Sequence, residues 1–418
     1  MKYQPYPKYK DSGVEWLGEI PEGWKQASFR RLVSENNAGE VIDKSYWYEG
    51  DEILYTCAFE PIKSTFADFP DKKRATNQDI LLTRNGTPYV HLPVENAIYS
   101  NVVQRVKLLP NLNRKFVQYC LQCSASTLIG YGVSIDSLNY ELWKSLYLAV
   151  PAIPTQRAIA AFLDTETARI DGLVKDYEEL IELLKEKRQA LISHAVTRGL
   201  SELVSPDDPE FGEWAKPVKF KDSGVEWIGE IPEGWILSTV RYCFTIGRGR
   251  VISQEELIED GLFPVFSSQT INKGCLGYIN TYDFDCEQIT WTTDGANAGT
   301  VFIRSGKHNC TNVCGTLQAK RSDLILRYYY YLLSIGTEYY KRPDTNGAKI
   351  MNNEMAVIKI VIPPMIIQQA IAMYLDKKTV KMETLINEAE SAIELLKEHR
   401  SALITNAVTG KINVEASA

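Results

Sequence analysis

The sequence predicts two globular mixed α/β domains separated by two long helices that pair as an antiparallel coiled coil, the whole forming a pseudo-twofold tandem repeat. Three observations predict it. Residues 10–24 read KDSGVEWLGEIPEGW and residues 221–235 read KDSGVEWIGEIPEGW, so 14 of 15 positions agree at an offset of 211. Residues 151–199 and 363–411 repeat at an offset of 212, through QRAIAAFLD against QQAIAMYLD, then IELLKEKRQALI against IELLKEHRSALI, then AVT twice. The segments between them, 25–150 (126 residues) and 236–362 (127 residues), match in length and barely in sequence. A frame kept constant around varying inserts is how one geometry reads two different things.

The boundaries follow from these repeats. Residues 1–150 are a lead-in with the first variable domain, 151–199 the first helical spacer, and 200–219 an acidic linker. Residues 220–362 are a lead-in with the second variable domain, 363–411 the second helical spacer, and 412–418 a tail. In the first spacer Thr155 is a plausible N-cap, and apolar residues recur at heptad spacing: Leu163, Ile170, Tyr177, Leu184 and Leu191. Leu173 and Leu180 are read as the intermediate seam positions. The second spacer repeats the register with Leu375, Met382, Ala389, Leu396 and Leu403, flanked by Leu385 and Ala392. From Thr155 to Arg198 the helix would run about 66 Å, too long to be absorbed by one small core, and two such seams cover each other best as an antiparallel pair.

The variable segments read as short strands between turns. Residues 79–86 form a strand running into an Asn-Gly turn, and residues 287–295 are the counterpart with an Asp-Gly turn. Residues 100–103 (SNVV) align with 311–314 (TNVC), and Asn139-Tyr140-Glu141-Leu142 aligns with Asn352-Asn353-Glu354-Met355. The linker, rich in proline and acids, reads as passing from ordered to flexible.

Composition bounds the chemistry. At 418 residues with 44% apolar content the chain can bury two or three cores, and no apolar run or N-terminal signal region suits a membrane or export, which predicts a cytoplasmic protein. The eight cysteines are read as buried free thiols; Cys120 and Cys123 lack a second pair, and Cys275, Cys286, Cys310 and Cys314 follow no standard zinc spacing, so no metal site is expected. The net charge of -7 sits mainly in residues 200–235, which hold 3 basic and 9 acidic side chains, whereas each variable segment carries a net +1. That distribution leaves nucleic-acid contact open.

No phosphate-binding loop and no aminomethyltransferase motif occurs, and His91, His194, His308 and His399 are scattered, so a binding protein is expected in preference to an enzyme. Basic and amide side chains instead gather near turns. In the first segment they are Lys72, Lys73, Arg74, Arg84, Asn85, Arg105, Arg114 and Lys115. In the second they are Arg248, Arg250, Ser267, Ser268, Gln269, Lys273, Asp294, Asn297, Arg304, Lys307, Asn346 and Lys349. These residue types grip phosphates and read base edges, and the turns at 84–85 and 294–297 gain weight from their equivalent places in the two repeats.

The order GEIPEGW, variable domain, QRAIAAFLD-type helix ending in AVTRG or AVTGK, then the whole unit again, resembles the specificity (HsdS) subunit of type I restriction-modification systems over essentially the full chain. The resemblance implies that each variable segment is a target-recognition domain reading one half of a split, non-palindromic double-stranded DNA sequence. It also implies that the helices form a spacer docking two modification subunits, which carry S-adenosylmethionine and methylate adenine. Separate restriction (translocase) subunits would use ATP and magnesium, and this chain would hold no cofactor of its own. The rival expectation is a repeat-built adaptor between two protein partners, with no salt-dependent DNA affinity.

Overall fold

The computed structural model describes residues 4–129, 138–345 and 347–416. Seven α-helices occur among the described residues: α1 (Arg114–Ile129), α2 (Tyr140–Ser145), α3 (Ile153–Arg198), α4 (Val240–Cys243), α5 (Leu326–Tyr340), α6 (Asn352–Val357) and α7 (Met365–Val408). The chain folds as two compact units that cut across the repeats. One holds residues 1–178 and 391–418, and the other residues 179–390.

In the first unit a four-stranded antiparallel sheet runs in the order Val33–Ala38, Val103–Leu108, Asp79–Thr83, Val90–His91. A second sheet of three strands pairs Ile62–Ser64 with Trp47–Tyr55, and Trp47–Tyr55 in parallel with Ile98–Tyr99. The second unit repeats the plan. Phe244–Arg248, Cys314–Ala319, Gln288–Thr292 and Val301–Arg304 form the first sheet, and Phe263–Phe266 pairs antiparallel with Cys275–Ile279 and in parallel with Lys307–Cys310. Asp79–Thr83 and Gln288–Thr292 are therefore equivalent interior strands, and every residue in both is buried, the polar Asp79, Gln288 and Thr290 included. The Asn85-Gly86 turn forms as expected. Its counterpart does not: Asp294–Gly295 is a short strand pairing with Gly347–Lys349 in an extra sheet, because the longer connection to Val301 leaves that backbone free to find another partner.

The first long helix begins at Ile153, two residues before Thr155, and the second at Met365, two residues inside the expected spacer. α3 has 46 residues, about 69 Å of rise. Their principal seam is the one expected: Leu163, Ile170, Leu375, Ala389 and Leu403 are buried, and Tyr177, Leu184, Leu191, Met382 and Leu396 are partly so. The intermediate positions are corrected by one residue. Leu173 and Leu180 are 37% and 42% exposed and Leu385 is 42% exposed, whereas Thr167, Val174, Ile181, Thr379, Ile386 and Ile393 face inward. Spacing along the seam alternates four residues then three from Leu163; polar Thr167, fixed by its bond to the Leu163 carbonyl, occupies the first four-residue step, and at the next two a leucine stands one residue before the inward Val174 and Ile181.

Each unit contains half of both helices, and the pairing is antiparallel in each. In the first, Asp171 on α3 binds Arg400 on α7 at 2.8 Å, above a core joining Leu163 and Ile170 to Leu403 and Ala407. In the second, Arg188 lies 3.9 Å from Glu383, and Ile192, Ala195 and Val196 share a core with Ala370, Ile371 and Leu375. The linker is anchored, contrary to the expected flexibility. Phe211 is buried edge-on against Tyr374 of α7, and Glu210 pairs with Lys377.

The repeated motifs turn out to be joints. Gln156 is buried; its Oε1 accepts from Asn113 N at 2.9 Å while its Nε2 donates to the Pro151 carbonyl at 2.9 Å. Gln368 does the same with Ile325 N and the Pro363 carbonyl. Asp164 then takes Tyr119 and Lys115 of α1, and Asp376 takes Tyr331 and Arg327 of α5. These side chains lock the start of each long helix to its own variable domain. A Gln156→Leu substitution leaves the Asn113 N–H and the buried Pro151 carbonyl without their partner, and is expected to lower the unfolding free energy by about 1–3 kcal/mol, measured by urea titration.

The lead-in segments meet the far end of the other copy's helix. In the first unit Tyr9 donates to the Gly410 carbonyl at 3.0 Å, and Lys411 Nζ to the Glu19 carbonyl at 2.6 Å. In the second, Arg198 pairs with Glu230 at 3.1 Å and covers the Phe220 ring at 4.2 Å. The glycines closing AVTRG and AVTGK are left-handed, Gly199 at φ +85° and Gly410 at φ +73°; a Cβ on Gly410 would stand 2.5 Å from Pro21. Helix termination and close packing against the lead-in proline and tryptophan thus need the same residue.

Candidate nucleic-acid interface

In each unit two loops emerge side by side from equivalent strands. The first unit offers the hairpin loop 56–61 and the turn 84–89. Cys57 Sγ reaches the Val102 carbonyl at 3.6 Å, and Phe59 packs edge-on against Tyr89 at 4.8 Å. The second offers the hairpin loop 267–274 and the turn 293–300, tied by Asn297 Nδ2 donating to the Ser268 carbonyl at 3.4 Å. Because the strands pair identically, these loops occupy corresponding places on the two folds.

The structure divides the sequence-selected residues into three groups. Some are interior. Arg105 is 6% exposed and held by buried Asp79 at 2.9 Å, and Arg304 is 5% exposed, its guanidinium 3.6 Å over Phe266 and 4.3 Å over Phe302. Arg105 does not present its charge to a phosphate. Others are committed to ion pairs or to the scaffold. Arg74 forks onto Glu52 at 2.7 and 2.9 Å, Lys73 pairs with Glu40, Arg250 with Glu256 and Asp283, and Lys349 with Asp344. Arg114 donates to the Pro93 carbonyl, and Lys115 belongs to the helix joint.

Most of the remaining candidates sit on or near the paired loops; Lys72, whose carbonyl meets Arg105 beside Asp79, and Lys307, the strand partner of Asp285, lie toward the opposite strand ends. Lys72 and Asn85 are exposed, and Arg84 is half-buried with its guanidinium 3.3 Å from the Asn101 carbonyl. In the second unit Arg248, Lys273 and Lys307 are exposed, with Arg248 on the Asn312 carbonyl and Lys307 4.6 Å over Tyr282. Ser267, Ser268, Gln269, Asp294 and Asn297 are half-buried at the loop bases. Asn346 lies outside the described residues.

Burial sets the local electrostatics. It pulls Arg304 down to about 10, with no carboxylate opposite, so the guanidinium stays charged at neutral pH. Burial raises the Cys310 and Cys314 thiols, Cys314 to about 11, so both stay protonated near neutrality. No disulfide joins the eight cysteines, and no group of His, Cys, Asp or Glu among the described residues is arranged to hold a metal.

His91 stands edge-on between Tyr55 (5.2 Å) and Tyr89 (4.7 Å), and burial lowers it to about 4. The unfolded chain takes up that proton near pH 6.5 and the folded one only near 4. Stability is therefore lost as pH falls through that window, by about 3 kcal/mol, and His91→Gln is expected to flatten that part of the acid-denaturation profile.

Two features escaped the sequence. A polar cleft of about 480 Å³ opens beside Arg30, Arg31 and Lys144 in the first unit, assembled by a strand pairing that joins distant residues. Phe59 and Ile271 stand 63% and 75% exposed on the two hairpin loops. An aromatic in the polar stretch before Pro61 was the available signal for Phe59; nothing local marked Ile271.

Two unlike loop platforms on one repeated scaffold define a two-module recognition protein. A family model described as "Type I restriction modification DNA specificity domain" matches residues 232–395. A putative type I specificity subunit N-terminus from Mycoplasma pneumoniae is 39% identical over 132 residues, 31% of this chain and 71% of that protein. The MpnII type I restriction enzyme specificity subunit of the same organism is 36% identical over 154 residues, 37% of this chain and 46% of that protein. The chain belongs to the DNA specificity subunits of type I restriction-modification systems, a non-catalytic recognition family. Solved structures agree on the fold. The HsdS subunit from Thermoanaerobacter tengcongensis superposes with a TM-score of 0.52 at 12% identity, covering 96% of this chain and 100% of that one. A chain from a study of complex assembly and conformational transition of the type I R-M system gives 0.69 at 14% identity, covering 93% and 98%. No helix among the described residues is long and apolar enough to cross a membrane.

Proposed function

We propose that this chain selects the DNA target of a type I modification and restriction complex, each variable domain reading one half of a bipartite, non-palindromic duplex sequence. The observation that carries this is the pair of loops in each unit. Equivalent strands place them alike, while their side chains differ: Arg84 and Asn85 in one, Ser268, Gln269, Lys273, Asp294 and Asn297 in the other. Amide and hydroxyl groups at loop bases suit base-edge hydrogen bonds, and the exposed Lys72, Arg248 and Lys307 suit phosphates.

The long helices dock the modification subunits. Leu173, Leu180 and Leu183 of α3, with Val380, Leu385 and Leu395 of α7, are exposed apolar side chains outside the seam, an arrangement that suits burial against partner helices. Two methyltransferase subunits would bring S-adenosylmethionine, and translocase subunits ATP and magnesium; this chain supplies only the address. The complex would act in the cytoplasm. Mapping methylated adenines in cells with and without the gene tests the reading: a split motif should vanish with the gene. A purified complex whose DNA affinity ignores both sequence and salt would leave only the adaptor reading.

A further inference from the structure

We propose that Phe59 and Ile271 are wedges, one for each half of the target, that insert into a base step and unstack it while the neighbouring loop reads base edges. The inference rests on the DNA-target reading above and adds a residue role to each half.

Both side chains are large, apolar and mostly in solvent, on corresponding hairpin loops. An isolated exposed apolar residue is ordinary on a protein surface. What sets these apart is the bracing beneath them. Under Phe59 runs a column of rings, Phe59 to Tyr89 at 4.8 Å, Tyr89 to His91 at 4.7 Å and His91 to Tyr55 at 5.2 Å. In the second unit Phe266 takes the place of Tyr55 and Phe302 that of His91, as the strand registers show. Between those two rings lies the guanidinium of Arg304, which donates to the Lys273 carbonyl at 2.7 Å. Two unrelated sets of side chains thus brace the same hairpin.

The tip that carries Ile271 is held in an unfavourable conformation. Asn272 (φ 52°, ψ 37°) and Lys273 (φ 52°, ψ 33°) are both left-handed, and Gly274 follows at φ +83°. Consecutive left-handed residues persist only where surroundings hold them, and here the holders are visible. Arg304 grips the Lys273 carbonyl, Ser267 N donates to the Gly274 carbonyl at 2.9 Å, and Gln269 closes the base onto the Cys275 carbonyl. Such a tip keeps an isoleucine pointed outward beside a lysine, instead of letting it fold back onto the domain. Apolar side chains so presented, next to groups that grip phosphate and read bases, are suited to enter a base step. Arg304 is a positioning residue here, acting on DNA through the loop.

The experiment uses the full chain in complex with its modification subunits and a duplex bearing the target found by adenine-methylation mapping. 2-Aminopurine is placed in turn at each position of both half-sites. Binding of the wild-type complex is expected to raise its fluorescence at one step in each half. Phe59→Ala should abolish the rise in one half and Ile271→Ala in the other, each weakening affinity about tenfold or more without changing the salt slope, because no phosphate contact is lost. Both variants should melt as wild type does, since the truncated side chains are exposed. Target binding with no fluorescence change, or unchanged behaviour of both variants, overturns the wedge while leaving the target reading intact. Absence of any target-dependent binding by the wild-type complex overturns both.

Discussion

Exchanging residues 25–150 for the corresponding segment of a relative is expected to replace one half of the methylated DNA sequence and leave the other half as it was. The segment ends at joints that do not depend on the insert's reading loops. Strand Lys25–Ser28 pairs with Tyr147–Val150 at its boundary, and Gln156 and Asp164 clasp backbone and α1 groups just inside it. Methylation mapping of cells carrying the chimaera measures the outcome. A change in both halves would mean that the two modules do not read independently.

Arg105→Ala is expected to destabilise the first unit by about 3–5 kcal/mol, the largest effect anticipated for any single substitution among the basic residues near its loops. Asp79 is fully buried, and its Oδ2 accepts from Thr76 N, Thr76 Oγ1 and Arg105 Nε at 2.8–2.9 Å. Removing the guanidinium strands a carboxylate between two sheet layers. Thermal or urea unfolding should show the loss, and the pair Arg105→Met with Asp79→Leu should recover much of it, since no charge then remains to be desolvated. Lys72→Ala, by contrast, should leave the midpoint unchanged and lower the salt dependence of DNA binding. A midpoint unaltered by Arg105→Ala would show that water reaches Asp79.

The contrast between those residues shows where the sequence stopped being legible. Its repeats gave the two domains, the two helices and the equivalence of Asp79–Thr83 with Gln288–Thr292, because pattern and spacing are local properties. Arg105 and Lys72 look alike as letters. Their fates differ because Val103–Leu108 is covered on both faces, so almost every side chain in it is buried and alternation gives no warning. Arg304 was likewise unreadable: its cage is closed by Phe266, which only the parallel pairing with Lys307–Cys310 brings near. The misplaced intermediate seam positions have a local cause: Leu173, Leu180 and Leu385 each stand one residue before the inward Val174, Ile181 and Ile386, so apolar letters alone do not choose between a three- and a four-residue step, and the first such step is taken by polar Thr167.

The crossed joints bear on how such a chain can change over generations. The first GEIPEGW closes on Gly410 and Lys411 of the second repeat, and the second closes on Arg198 and Gly199 of the first. A mutation in either lead-in must therefore be tolerated by a helix end encoded in the other copy, and an altered helix end by the other copy's lead-in. Neither copy can drift alone. Each helix end sets the surface that the other copy's lead-in must fit, so a change on one side of a crossed joint calls for a matching change in the other repeat, whereas the inserts meet no such demand.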